Sequence, residues 1–245
     1  MSAVVIMALG LLVLSVVSGM LGLGVAFAAL PFLALFMSDL VNQVQPLSLI
    51  LNGLTALSAA IGFAQSNYVD WRRGGVLAVV TTVFAPLGAL LTHYIAATLI
   101  WIIYLLSVAY LAYRLFRPVV ERPGRENFRL VLLLAAPISL LSGLLGVGPG
   151  FLLMPTLIIA GFPTKLAAGM NALAVTPPSF SALLPHLGSA RLDPGLTVTL
   201  VVVGVVGAFV GARVTSRFVP GPRVKQLFGV LIVVMTAFKL LTILL

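Results

Sequence analysis

Apolar residues run in long blocks, broken by short polar loops, almost from one end of the chain to the other. The first series covers approximately Ala3 to Met37, Val44 to Ala64, Gly75 to Thr92 and Ala96 to Phe116. The second covers approximately Phe128 to Phe162, Leu166 to Leu187, Leu196 to Ala212 and Gln226 to Leu245, in the same order of one long block and three medium ones. A hydrocarbon core about 30 Å thick needs about 20 mostly apolar residues per helical crossing, and the blocks reach or approach that length. None shows the period-two alternation over about 10 residues that marks a transmembrane barrel strand. The pattern predicts an all-α, polytopic helical membrane protein.

The two series share residues as well as order. Ser18-Gly19-Met20-Leu21-Gly22-Leu23-Gly24 recurs as Ser142-Gly143-Leu144-Leu145-Gly146-Val147-Gly148, and the register continues through Phe27 with Phe151, Pro31 with Pro155 and Leu33 with Leu157. Asn52-Gly53-Leu54 pairs with Asn171-Ala172-Leu173, and Gly88-Ala89 with Gly211-Ala212 at the same distance from Asp70 and Asp193. Matched Gly and Pro at fixed spacing are hard to obtain by chance, so the chain reads as an internal repeat: residues 1–116, a basic linker at 117–127, and residues 128–245. As one straight helix each opening block of about 35 residues would be about 50 Å long, more than a bilayer holds. Each is therefore split at its glycines into a broken helix or helical hairpin.

Charge enters as a test of topology. Only 8% of the 245 residues are charged while 61% are hydrophobic, too little polar surface to cover a water-soluble globule. The 14 Lys and Arg concentrate in short loops between apolar blocks, which favours topogenic signals over nucleic-acid binding for the net charge of +9. Arg114, Arg117, Arg122, Arg125 and Arg129 mark the linker as cytoplasmic, and Arg213, Arg217, Arg223 and Lys225 mark the last loop. With both inside, the long block of the second half must cross twice or return as a re-entrant hairpin. Counted back from the linker, Arg72 and Arg73 fall inside and Asp39 outside, so the halves are expected to be inverted relative to each other. The run from Ala3 to Ser18 lacks a basic leader and continues into more apolar sequence, so it is read as a membrane segment and not a signal peptide. The absence of cysteine excludes disulfides and thiol chemistry.

The motif Ser-Gly-x-x-Gly-x-Gly followed by Phe and Pro, once near the start of each half, resembles the TauE/SafE sulfite-exporter family, also called the toluene-sulfonate uptake permeases. The likeness spans essentially the whole chain and is sharpest at Ser142 to Pro155 and around Gly169-Met170-Asn171. It implies a bacterial inner-membrane transporter of sulfite, thiosulfate, a sulfonate or a related sulfur anion. The first half departs from the glycine-rich continuation, reading Gly24-Val25-Ala26-Phe27 against Gly148-Pro149-Gly150-Phe151.

Apart from the resemblance, a glycine break inside the membrane exposes unpaired N–H groups at the start of the next half-helix, and such an end attracts anions. Gly22, Gly24, Gly146 and Gly148 are the candidate binding residues; the alternative is close helix packing, the role expected of Gly207 and Gly211. Asn52 and Asn171 each offer an amide to an oxyanion or a hydrogen bond between helices. Ser18 and Ser142 offer hydroxyls, which nearby backbone also satisfies. Pro177-Pro178 is expected to kink or break its helix. Asp39, Asp70, Glu121, Glu126 and Asp193 all fall in loops, leaving no membrane-embedded proton carrier. His93 and His186 are placed near interfaces, and Lys239 is expected to snorkel outward.

No HExxH, Cys/His cluster or paired intramembrane acid is present, and Gly19-x-x-Gly22-x-Gly24 lacks the strand and acid of a dinucleotide site. The expectation is a secondary transporter with no cofactor or metal, moving a small anion by alternating access between two inverted repeats. Its partners are that anion and the lipid bilayer, with no nucleic acid; self-association is left open. A non-transporting membrane subunit or scaffold, and a membrane-embedded enzyme, are the rival readings.

Overall fold

The computed structural model describes residues 3–96 and 126–221, with residues 98, 99, 102, 103, 106, 109, 110, 113, 223, 224, 226 and 230. Lys239, Glu121, Lys225 and the linker arginines 114, 117, 122 and 125 lie outside the described residues, as does the side chain of His93. Among the described residues all regular structure is helical. The first half contributes α1 (Ala3–Leu21), α2 (Ala26–Leu33), α3 (Gln45–Ala64) and α4 (Trp71–Leu91); the second contributes α5 (Phe128–Leu145), α6 (Gly150–Ile159), α7 (Thr164–Leu183) and α8 (Pro194–Phe218). A π-helical turn at Leu40–Val44 leads into α3. Among the described residues five helices are long and apolar enough to cross a membrane.

The acids of the sequence mark where helices begin. Asp39, Asp70 and Asp193 accept hydrogen bonds from the backbone N–H three residues on, at 3.0, 2.9 and 2.7 Å, and Asn127 does the same for α5 at 3.0 Å. Each satisfies an amide that the first turn leaves unpaired, and losing such a cap costs about 1 kcal/mol. The four described acids therefore sit in connections between helices, where the sequence placed them.

Both long opening blocks divide at their glycines. α1 ends with Gly22 in the left-handed region, at φ +63, and α5 ends with Gly146 at φ +67. Leu23 N–H returns to the Ser18 carbonyl and Gly22 N–H to Gly19, and Val147 and Gly146 repeat this on Ser142 and Gly143. This is the Schellman closure, which glycine permits without a Cβ penalty. The chain then doubles back. The Phe32 ring of α2 lies against Gly10 of α1, and Asn127 N–H at the start of α5 donates to the Ala160 carbonyl just past α6, at 2.9 Å. Each pair is a hairpin of one long and one short helix.

Without a hydrophobic drive between helices in lipid, close backbone approach and polar ties hold the bundle. The most extensive packing couples α1 with α8, and α4 equally with α5 and α7. A Cβ on Gly211 would collide with the Val16 carbonyl and one on Gly19 with the Ala208 carbonyl; Gly88 and Gly143 meet Leu140 and Ala85 in the same way. Gly207 is less confined, 3.0 Å from the Leu12 oxygen where its Cβ would stand. α3 is central, with 72% of its span buried against 33–39% for the other long apolar helices.

The contacts also give the direction of each helix. Thr55 of α3 meets Gly204 of α8 and Gly62 meets Ala212, so these run parallel. Gly74 of α4 meets Leu173 of α7, and Thr82 meets Ser181, again parallel. Between α3 and α7 the sense reverses: Asn52 meets Ser179 while Phe63 meets Gly169.

Pro177 and Pro178 do not break α7, which stays helical from Thr164 to Leu183. Pro178 cannot donate to the Ala174 carbonyl, and the Thr81 hydroxyl of α4 lies 2.9 Å from that oxygen. Reciprocally, Pro86 of α4 leaves the Thr82 carbonyl without its helical donor, and Ser181 of α7 supplies one at 2.9 Å. The prolines thus turn lost helix bonds into ties between α4 and α7. His186 is buried in the turn that ends this helix.

Candidate functional site

The two glycine loops meet inside the bundle. A Cβ on Gly150 would strike the Leu23 carbonyl of the first loop, and one on Gly22 would strike the Ala168 carbonyl of α7. The Phe27 and Phe151 rings, one residue into α2 and α6, stack with centroids 5.1 Å apart and planes 18° apart. Gly24 and Gly148 also hold positive φ, +70 and +71, and both face Asn52 of α3 closely enough that a Cβ on either would overlap its amide.

Asn52 is the hinge of this arrangement. Its Oδ1 accepts from the Ala26 N–H at 2.9 Å, and its Nδ2 donates to Ser179 Oγ at 2.8 Å. It is fully buried and joins the first loop, α3 and α7. Thr55, one turn further on, accepts from the Val25 N–H at 3.1 Å. The two amides leading into α2 thus have protein partners.

Asn171 does a different task from the place that matches Asn52. Its Nδ2 donates to the Gly22 carbonyl of the opposite half at 2.7 Å, and its Oδ1 is buried with no partner among the described residues. The substitutions explain the divergence. Where the first loop has Val25 with a donor and Thr55 to receive it, the second has Pro149, which has no N–H, and Ala174, which has no acceptor. The Gly150 N–H that follows has no hydrogen-bond partner among the described residues, nor has the Gly148 N–H.

Of the eight residues singled out by sequence, Gly24, Gly148 and Asn52 converge on one point, and Gly22 and Asn171 bond to each other nearby. The amides of Gly22 and Gly146 are engaged in the helix closures, donating to the Gly19 and Gly143 carbonyls. Ser18 and Ser142 give their carbonyls to the same closures, while their buried hydroxyls lack partners among the described residues. Sequence reading missed Gln45, Ser48, Thr55 and Ser179, all buried. The signal was available for three of them: with Asn52, Gln45 and Ser48 follow i, i+3, i+7 spacing on one face of α3, and Thr55 continues it.

Among the described residues the meeting point of the loops carries no charged side chain. It is assembled from peptide N–H groups, amides and hydroxyls in a buried setting, a donor set that can replace the water around a small anion.

The chain is similar over residues 6–238 to the family described as sulfite exporter TauE/SafE. A probable membrane transporter protein of Xylella fastidiosa (strain 9a5c) is 26% identical over 231 residues, covering 90% of this chain and 88% of that one. A probable membrane transporter protein of Bacillus subtilis is 23% identical over 212 residues, covering 83% and 86%. No solved structure matches. A family match spanning nearly all of a helical chain with five apolar helices of membrane-crossing length settles its membership: this is a multi-pass membrane protein of the TauE/SafE sulfite exporter family, a family of membrane transporters.

Proposed function

We propose that the chain is a secondary transporter that moves a small sulfur-containing anion, such as sulfite, thiosulfate or a sulfonate, across the bacterial inner membrane. The observation that carries this reading is the meeting of two glycine loops around buried, uncharged hydrogen-bond donors at the centre of the bundle. Helix ends and amides hold an anion without the permanent cation that would bind it too tightly to release.

Alternating access follows from two halves of opposite orientation, 1–116 and 128–245 around the linker 117–127. The antiparallel run of α3 against α7 supports inversion, as does the distribution of charge. Arg73 pairs with Asp70 and Glu126, both at 3.6 Å, and Lys165 and Arg213 bond Ser216 and Ser66 at the same end of the bundle. Arg191 lies beside Asp39 and Asn42 at the other end. The end rich in Lys and Arg is assigned to the cytoplasm.

Two measurements test the proposal. Proteoliposomes preloaded with unlabelled sulfite should accumulate labelled sulfite by counterflow; no saturable flux of sulfite, thiosulfate or a sulfonate would refute the substrate class. In this cysteine-free chain, Gln65→Cys and Ser189→Cys, in the loops after α3 and α7, should be labelled by an impermeant reagent from opposite sides. Labelling from one side only would rule out inversion.

A further inference from the structure

On the basis of the transporter reading, we propose that the anion site is built on the second glycine loop alone, and that Gln45 of α3 is a substrate-binding residue in it. Three alternate loop positions, 146, 148 and 150, are glycine; the first two face the side-chain amides of Gln45 and Asn52, and the third faces the Leu23 carbonyl and Val175 with the Asn171 amide next to them. A Cβ on Gly146 would stand 2.6 Å from Gln45 Cγ and 3.0 Å from its amide carbon. One on Gly148 would overlap the Asn52 amide, and one on Gly150 would stand 3.1 Å from Asn171 Nδ2. The first loop has no such row: Gly22 faces backbone of α7, and position 26 is alanine.

The row differs from ordinary packing in what it leaves unpaired. Gln45 is 0% exposed, and neither its Nε2 nor its Oε1 has a partner among the described residues. An unsatisfied buried donor or acceptor costs about 1–3 kcal/mol, so a Gln with both ends unpaired is expensive unless something else fills the place. Ser48, one turn along the same face of α3, is likewise buried without a partner for its hydroxyl. The Gly148 and Gly150 amides, two and four residues along the loop from Gly146, are unpaired among the described residues, and Gly150 opens α6, a helix of 10 residues whose N-terminal end favours negative charge. Donors outnumber acceptors here, since Gln45 Nε2, Ser48 Oγ and two peptide N–H groups stand against the oxygens of Gln45 and Asn171. That composition suits an oxyanion with several acceptor atoms better than a cation or a neutral apolar molecule.

The asymmetry assigns different tasks to the two loops. Asn52 and Thr55 fix the first loop, and Asn171 grips its Gly22 carbonyl, so that loop forms a wall. The second supplies the open donors. Sequence symmetry conceals this, because the position matching Gln45 in the second half is Thr164, a shorter side chain without an amide.

The test uses the full chain, purified in detergent, with sodium sulfite as the probe and sodium chloride as a control with a spherical, singly charged anion. Gln45→Leu removes the donor at nearly constant volume. Loss of a hydrogen bond to a charged group should weaken sulfite binding about tenfold to a hundredfold. The melting temperature should hold or rise, because the two unpaired polar atoms of the Gln45 amide are gone from the bundle. Gln45→Glu should abolish binding at neutral pH by placing a carboxylate against the anion. If Gln45→Leu yields no folded protein, Gln45→Met removes the same donor on an unbranched chain and is read in the same way. Wild-type sulfite affinity in a folded Leu or Met variant would overturn the assignment of Gln45 while leaving the transporter reading intact. A wild-type chain that neither binds nor exchanges sulfite, thiosulfate or a sulfonate would overturn both.

Discussion

The two glycine loops share a backbone and differ in what their amides meet. Both leave a helix through a Schellman closure, both hold a second glycine near φ +70, and both bring a phenylalanine into the same stacked pair. At the first, Val25 and Ala26 donate to Thr55 and Asn52. At the second, Pro149 has nothing to donate, Gly150 finds no acceptor among the described residues, and Gln45 beside Gly146 is unpaired. A duplicated element can thus keep its shape while the polar groups of one copy are paired and those of the other are left open. Glycine and proline preserve the shape; the side chains on α3 and α7 decide the task.

The largest effect expected from breaking this comparison falls on Asn52 and Asn171, which match in the repeat but not in load. Asn52→Ala removes the acceptor for Ala26 and the donor to Ser179 together, and at about 1–2 kcal/mol for each buried bond it should destabilise the protein by about 2–4 kcal/mol. Asn171→Ala removes one bond, to the Gly22 carbonyl, and should cost about half as much. Thermal melts of the two variants in one detergent give the ranking. Equal losses would show that the halves are held alike and that the asymmetry has no energetic content.

A smaller effect concerns the pairing of Val25 with Thr55. Thr55→Val leaves the Val25 N–H buried without an acceptor and should cost about 1–2 kcal/mol. The converse sharpens the comparison. Ala174→Thr alone should gain no stability, since Pro149 offers no donor, whereas Ala174→Thr with Pro149→Val recreates the first loop's clamp. The double variant should gain about 1 kcal/mol over Ala174→Thr alone, a rise of about 2–4 °C in melting temperature for a chain of this size. A gain from the single substitution as large as from the double would mean that packing, not the clamp, is responsible.

Much of this was legible before any coordinates, where single residues carry local instructions. The glycines of the repeat announced both turns, because only glycine enters the left-handed region at low cost. Asp70 and Asp193 were legible as loop residues, and their capping of α4 and α8 shows only in the structure. What failed to show depended on contacts between the halves. Pro177-Pro178 signals a kink or a break in isolation; α7 does not break, and Thr81 lies against the carbonyl that Pro178 leaves without its helical donor. Gln45 falls just inside its apolar block, and its spacing from Ser48 and Asn52 puts it on one face of α3 without saying what covers that face. Its burial is set by Gly146 of the other half, and nothing local to Gln45 reports that neighbour.

The smallest expected effect lies in the connections between short and long helices, where the two halves differ again. The second half turns through Gly161-Phe162-Pro163 with no side-chain cap on α7, while the first caps its π-helical turn with Asp39. The backbone N–H and side-chain amide of Asn42 hold the Asp39 carboxyl below the ordinary carboxylate range, with a further contribution from Arg191. A carboxyl whose folded pKa is depressed contributes stability that is present above its unfolded pKa and is lost as pH falls through the folded value. Acid should therefore loosen the Asp39 connection and leave the Gly161–Pro163 connection unaffected. Melting temperature of the wild type should fall below about pH 4, near the unfolded pKa of an aspartate. Asp39→Asn keeps a good capping side chain without a titrating group, so its curve should lie slightly lower at neutral pH and flatter in acid. The carboxyl is partly exposed, so the difference should be a few degrees at most. Parallel curves for wild type and Asp39→Asn down to pH 3 would show that acid acts elsewhere and that the two connections do not differ in this respect.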